Sequence, residues 1–186
     1  MARYVALFRA VNVAGHARIA TGELLRTFAA SGACDVTSFG HAGNLMFSAA
    51  RAPGAIVARA REAIGRRHGE RPVIVLRSAA ELLELAAAEP FAACGARASD
   101  KLYVVFLARK ARKPPSLPIS SSAERLTVFA CRNRDVLLVS ARKRNGFYGL
   151  PNAFVEAAYG VAATARNWST VTRLATLLEA TSDRVS

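Results

Sequence analysis

The residues best suited to chemistry fall in three short runs. Arg9, Asn12, Gly15 and His16 follow one apolar stretch, His41, Gly43 and Asn44 lie between two others, and Thr164-Ala-Arg-Asn-Trp-Ser-Thr170 stands near the C-terminus. Arginine beside amides, with few carboxylates nearby, suits anion recognition: Arg9 as a clamp, Asn12 and Asn44 as amide hydrogen-bonders, and a histidine, His16 or His41, as proton carrier or general base. In the last run Asn167 is a good helix cap, and the free N–H groups and dipole of a helix start favour an anion, to which Arg166 adds a full charge. Trp168, the single tryptophan, would either stack on a base or pack into the core.

Other chemistries are disfavoured. The chain contains no G-x-S-x-G elbow, no phosphate-binding G-x-x-x-x-G-K-[ST] loop, no H-E-x-x-H and no Gly-rich dinucleotide fingerprint. His16, His41 and His68 lack helical ligand spacing and neighbouring acids, so neither a metal nor a cofactor is expected. Cys34, Cys94 and Cys131 are odd in number and widely spaced, which points to reduced thiols and not to a disulfide framework.

Elements must bring these runs together. Tyr4 to Arg9 reads as a buried strand, and Thr21 as the cap of a helix carrying Leu24, Leu25 and Phe28 on one face and stopped by Gly32. Strands near Cys34 to Phe39 and Asn44 to Ser48 flank a turn at His41-Ala-Gly43. Pro53 opens a second helix with Ile56, Val57, Ala60 and Ile64 inward, and Pro72 to Leu76 is the fourth strand. This strand-helix-strand-strand-helix-strand order is ferredoxin-like, and it sends the loops holding Arg9, His41 and His68 to one sheet edge. Ser78 and Glu81 have capping-box spacing for a further helix ended by Pro90.

The expected fold class is α+β, with residues 1–92 forming one ferredoxin-like half and residues 93–186 a second, degenerate one. In the second half, strands are expected at Leu102 to Ala108, Leu126 to Ala130 and Val136 to Ser140, and helices at Pro151 to Tyr159 and Trp168 to Leu178. Gly160 would stop the first of these helices, while Lys113 to Pro118 and Ser120 to Ser122 read as an exposed loop.

The formal net charge of +13 is uneven: residues 1–93 hold 11 basic and 7 acidic groups, residues 94–186 hold 15 and 6. Arg109, Lys110, Arg112, Lys113, Arg142, Lys143 and Arg144 cluster in the second half, so a nucleic acid is the alternative partner. The longest apolar runs fall well short of the roughly 20 residues that span a bilayer. The N-terminus lacks a small-residue cleavage site, so no membrane association and a cytoplasmic address are expected.

Three segments, Leu7-Phe-Arg-Ala-Val-Asn-Val-Ala-Gly15, Phe39-Gly-His-Ala-Gly-Asn-Leu-Met-Phe47 and Thr164-Ala-Arg-Asn-Trp-Ser-Thr-Val171, together resemble the bacterial DUF1697 family of unknown function. The resemblance implies two ferredoxin-like halves and no established activity. It matches Arg9, Asn12, Gly15, Gly43, Asn44, Arg166, Asn167, Trp168 and Thr170 to the family pattern, which with His41 form the expected ligand-binding set. Ala10 and Ala14 replace the usual glycines, His41 and Ala42 replace Asn and Ser, and Arg142-Lys-Arg-Asn-Gly146 replaces a milder turn.

Overall fold

The computed structural model describes residues 1–9, 19–40 and 43–182. Two compact units divide at Leu82/Leu83, within a helix, whereas the sequence pattern placed the boundary at 92/93. Each unit is an antiparallel sheet with helices, and the described residues hold five helices in all, so the fold is α+β.

Unit 1 runs β1 (Ala2–Phe8), α1 (Thr21–Ala30), β2 (Cys34–Phe39), β3 (Asn44–Ala49), α2 (Pro53–His68) and β4 (Ile74–Ser78), with sheet order β2-β3-β1-β4. Its core gathers Ala6, Phe8, Leu24, Phe28, Leu45, Phe47 and the expected α2 face of Ile56, Val57, Ala60 and Ile64. Phe28 meets Phe8 and Phe47 at ring-centroid distances of 5.9 and 5.6 Å, so one α1 aromatic bridges two strands. Thr21 is the first helical residue and not the cap; Ala20 holds the extended cap position and supplies no side-chain bond. Gly69 ends α2 at φ 77°, a left-handed conformation open to glycine.

A further helix, α3 (Ala79–Ala87), carries the division between the units. Its start is the expected reciprocal box: the Ser78 N–H donates to Glu81 Oε2 at 2.7 Å and the Glu81 N–H to Ser78 Oγ at 3.2 Å.

Unit 2 contains β5 (Lys101–Leu107), β6 (Ile119–Ser121), β7 (Leu126–Arg132), β8 (Asp135–Ser140), α4 (Pro151–Tyr159), β9 (Ala163–Asn167) and α5 (Trp168–Ser182). The sheet order is β6-β7-β8-β5-β9. Two of these strands depart from expectation. Ile119–Ser121, read as loop, pairs with β7, because Ile119 and Ser121 align with Val128 and Leu126. Ala163–Asn167, where no strand was expected, is an edge strand paired along β5 from Leu107↔Ala163 to Tyr103↔Asn167. Val105, Leu107, Leu126, Val128, Val136, Leu138, Val155 and Tyr159 form the core of this unit.

Candidate functional site

The end of β1 meets the loops expected around it. The Phe8 N–H donates to the Gly43 carbonyl and the Arg9 N–H to the Val73 carbonyl, both at 2.9 Å, so the β2–β3 turn and the approach to β4 converge on Arg9. Asn44 serves this turn from within: it is buried, and its Nδ2 donates to the Phe39 carbonyl at 2.9 Å. Its amide is thus committed to the hairpin, where the sequence suggested a ligand contact. Asn12, Gly15, His16 and His41 lie outside the described residues. His68 does not face an open rim; its Nε2 is 2.8 Å from Glu23 Oε1, joining the end of α2 to the start of α1. Bonding to His68, and then to Arg67, holds the Glu23 carboxyl below its ordinary value.

The second cluster lies in unit 2 and is taken by itself. Arg166 is almost wholly buried, and its Nη1 donates to Thr164 Oγ1 at 2.7 Å and to the Ala165 carbonyl at 2.8 Å. Burial pulls the guanidinium down to about 10. The expectation that Arg166 adds its charge to an anion site at the helix start meets a buried arginine that braces β9 and lies in register opposite Val104. Asn167 closes β9 and is exposed, Thr170 is half-buried on the first turn of α5, and Trp168 packs on Phe91 at 5.2 Å between ring centroids. Phe91 in turn sits edge-on to Phe129.

One side of Trp168 remains open to a cleft of about 330 Å³, lined by Asp100, Lys101, Leu102, Asn167, Trp168 and Ser169. Lys101, which the sequence reading left out, is the cation here. Its Nζ stands 4.2 Å over the Tyr148 ring. The Asp100 carboxylate is engaged by the Arg97 N–H at 2.9 Å. Only the strand pairing Tyr103↔Asn167 sets Lys101 beside Trp168, a link that local sequence does not carry.

The basic runs are partly committed to their own loops. Lys143 Nζ pairs with Glu124 Oε2 at 3.0 Å, Arg142 Nε donates to the Gly146 carbonyl at 3.0 Å, and Arg109 donates to the Gly160 carbonyl. Arg112, Lys113 and Arg144 are exposed, as is Lys110. Another basic feature lies in unit 1, where Arg26, Arg59, Arg66 and Arg67, with Glu62, line a groove of about 780 Å³ between α1 and α2, Arg59 donating to the Ser31 carbonyl and Arg67 pairing with Glu23. Helical periodicity alone does not show this groove, since it does not say which neighbour lies opposite α2.

Among the described residues no group of His, Cys, Asp and Glu is placed to hold a metal ion. Nor is any described helix long and apolar enough to cross a membrane.

Comparison with known proteins places this geometry. A search of curated proteins finds no match. Among solved structures, a conserved bacterial protein from Streptococcus pneumoniae is similar over 96% of this chain and 99% of its own, with a TM-score of 0.66 at 15% identity, which bears on fold alone. The family model for proteins of unknown function named DUF1697 matches residues 1–137, taking in the Leu7–Gly15 and Phe39–Phe47 segments and ending before Thr164–Val171. With most of its length so matched, the chain belongs to the DUF1697 family.

Proposed function

We propose that this protein binds a small phosphate-bearing ligand at the start of α5. The observation that carries the reading is the cleft in which Lys101, Asn167 and the open side of Trp168 face one volume. A flat ring would lie on Trp168 while the anion meets the Lys101 ammonium and the first-turn N–H groups of α5. The volume is at the small end of ligand sites, which suits a nucleotide-sized or smaller molecule. The reading includes a cytoplasmic protein, supported by its three free cysteines. It also takes both units as ferredoxin-like. Supporting this are the β2-β3-β1-β4 and β7-β8-β5-β9 orders, with β6 and its loop standing where α1 stands in unit 1.

Titration of Trp168 fluorescence with a panel of nucleoside monophosphates and inorganic phosphate tests the proposal. A saturable change that weakens at least tenfold in Lys101→Ala is expected. A Lys101→Ala protein that responds as the native one does would overturn it.

A second reading, a nonspecific nucleic-acid binder, rests on the four-arginine groove between α1 and α2.

A further inference from the structure

Unit 2 holds another cavity, distinct from the α5 cleft in every lining residue. It encloses about 360 Å³ among Leu107, Lys110, Ala111, Pro114, Pro115, Leu117, Cys131, Asn133 and Tyr159. Its wall is mainly apolar, from the end of β5 and the proline-rich segment that follows. Four polar residues interrupt that wall: Tyr159, Cys131, Asn133 and Lys110. Tyr159 is 4% exposed, and its hydroxyl has no hydrogen-bond partner among the described residues. The Cys131 thiol is the weak sulfur contact of that hydroxyl, and the thiol itself donates at 3.9 Å to the Asn133 carbonyl. Lys110 is exposed at the rim.

A buried hydroxyl left with no more than a weak thiol contact is uncommon, because the group gives up its water bonds on folding and regains little. Here the hydroxyl borders a cavity of ligand size, so an entering acceptor would restore the lost bond. Prolines restrict the backbone of the opposite wall, which lowers the entropy lost when a ligand is held. The wall favours an apolar body, and Lys110 favours a negative charge on the part nearest solvent. Burial raises the Cys131 thiol, so it is mostly protonated at neutral pH and reacts slowly, with measurable alkylation at mildly alkaline pH.

We propose that this cavity is a binding site for a small, mostly apolar organic anion, with an oxygen accepting from the Tyr159 hydroxyl and its charge towards Lys110. The site is independent of the phosphate reading and stands or falls without it.

The test uses the full chain and anilinonaphthalene sulfonate, a fluorescent apolar anion, with N-ethylmaleimide as a thiol probe. Peptide mass mapping reports Cys34, Cys94 and Cys131 separately, so the other two thiols serve as internal controls. Saturating probe is expected to slow Cys131 alkylation at least fivefold and to leave Cys34 and Cys94 unchanged. Tyr159→Phe, which removes only the donor, is expected to weaken probe affinity roughly three- to tenfold. Ala111→Trp, on the loop side of the cavity, is expected to abolish it. Unchanged Cys131 alkylation, or full-strength binding to Ala111→Trp, overturns the site.

Discussion

Arg77 and Arg166 occupy matching positions in the two sheets. Arg77 is the penultimate residue of β4 and pairs with Val5, and Arg166 is the penultimate residue of β9 and pairs with Val104. Val5 and Val104 are each the fourth residue of a central strand with the same exposure pattern. Both guanidinium groups fold back on their own strand, to the Leu76 carbonyl at 2.9 Å and the Ala165 carbonyl at 2.8 Å. Each is followed by one residue and then by a helix. The halves thus share a buried arginine brace that their sequences alone do not align.

Removing a brace takes a charged donor from its acceptors, Thr164 Oγ1 and the Ala165 carbonyl for Arg166, and opens space. Arg166→Ala is expected to cost about 3 kcal/mol in urea denaturation, with Arg166→Lys recovering less than half. Because burial pulls the folded value, about 10, below the ordinary one, the unfolded chain binds the proton more tightly between them, and stability from this group rises with pH only in that window. The cost of Arg166→Ala is therefore the same at mildly acidic and mildly alkaline pH. A cost that varies across that range would count against a charged brace.

The Glu23–His68 pair gives a different pH signature. Glu23 is held below its ordinary value of 4.5, so its stabilisation is complete above 4.5 and is lost as pH falls through the folded value. Glu23→Gln is expected to lower Tm at neutral pH, and the gap from the native protein is expected to close in acid. Thermal scans across acidic pH check the sign.

Gly149 is enclosed. A Cβ there would collide with the Glu124 carbonyl oxygen and stand 2.9 Å from Leu126 Cγ. Gly149→Ala is expected to destabilise by about 1–3 kcal/mol, because the first obstacle is backbone and cannot swing aside. Chemical denaturation measures it.

Glu124 ties down the segment that follows Arg142. Its Oε2 accepts from Lys143 Nζ and from the Leu150 N–H, each at 3.0 Å, and these bonds lower its pKa, the Lys143 bond most. In Glu124→Gln the Leu150 amide is expected to exchange faster with solvent, while amides in the centre of β5 keep their protection. Hydrogen exchange read by NMR separates the two.

The four-arginine groove makes a quantitative forecast for nucleic acid. If Arg26 and Arg66 each contact a phosphate, the double alanine variant is expected to flatten the slope of log K against log salt by about 1.4 to 1.8. An unchanged slope removes the groove from consideration.

The inward face of α2 was legible because its apolar residues recur at helical spacing, and the Ser78–Glu81 box because its two bonds are local. The chain carries no such local mark for β9. Ala-Thr-Ala-Arg-Asn has little strand propensity, and it becomes a strand by pairing with β5. The same pairing buries Arg166, whose charge invites an exposed reading, and it brings Lys101 to Trp168. Asn44 misled for a related reason: an amide after a glycine turn serves a hairpin or a ligand equally well until its acceptor, the Phe39 carbonyl, is placed.

The placement of β1 between β3 and β4 bears on how the protein is made. β1 leaves the ribosome before either of its two neighbours, which span Asn44–Ala49 and Ile74–Ser78. Its apolar residues Val5 to Phe8 therefore stay uncovered through most of the synthesis of unit 1. The nascent chain carries a ready surface for chaperone capture until Ser78 has emerged, and the sheet then closes late and by long-range contacts.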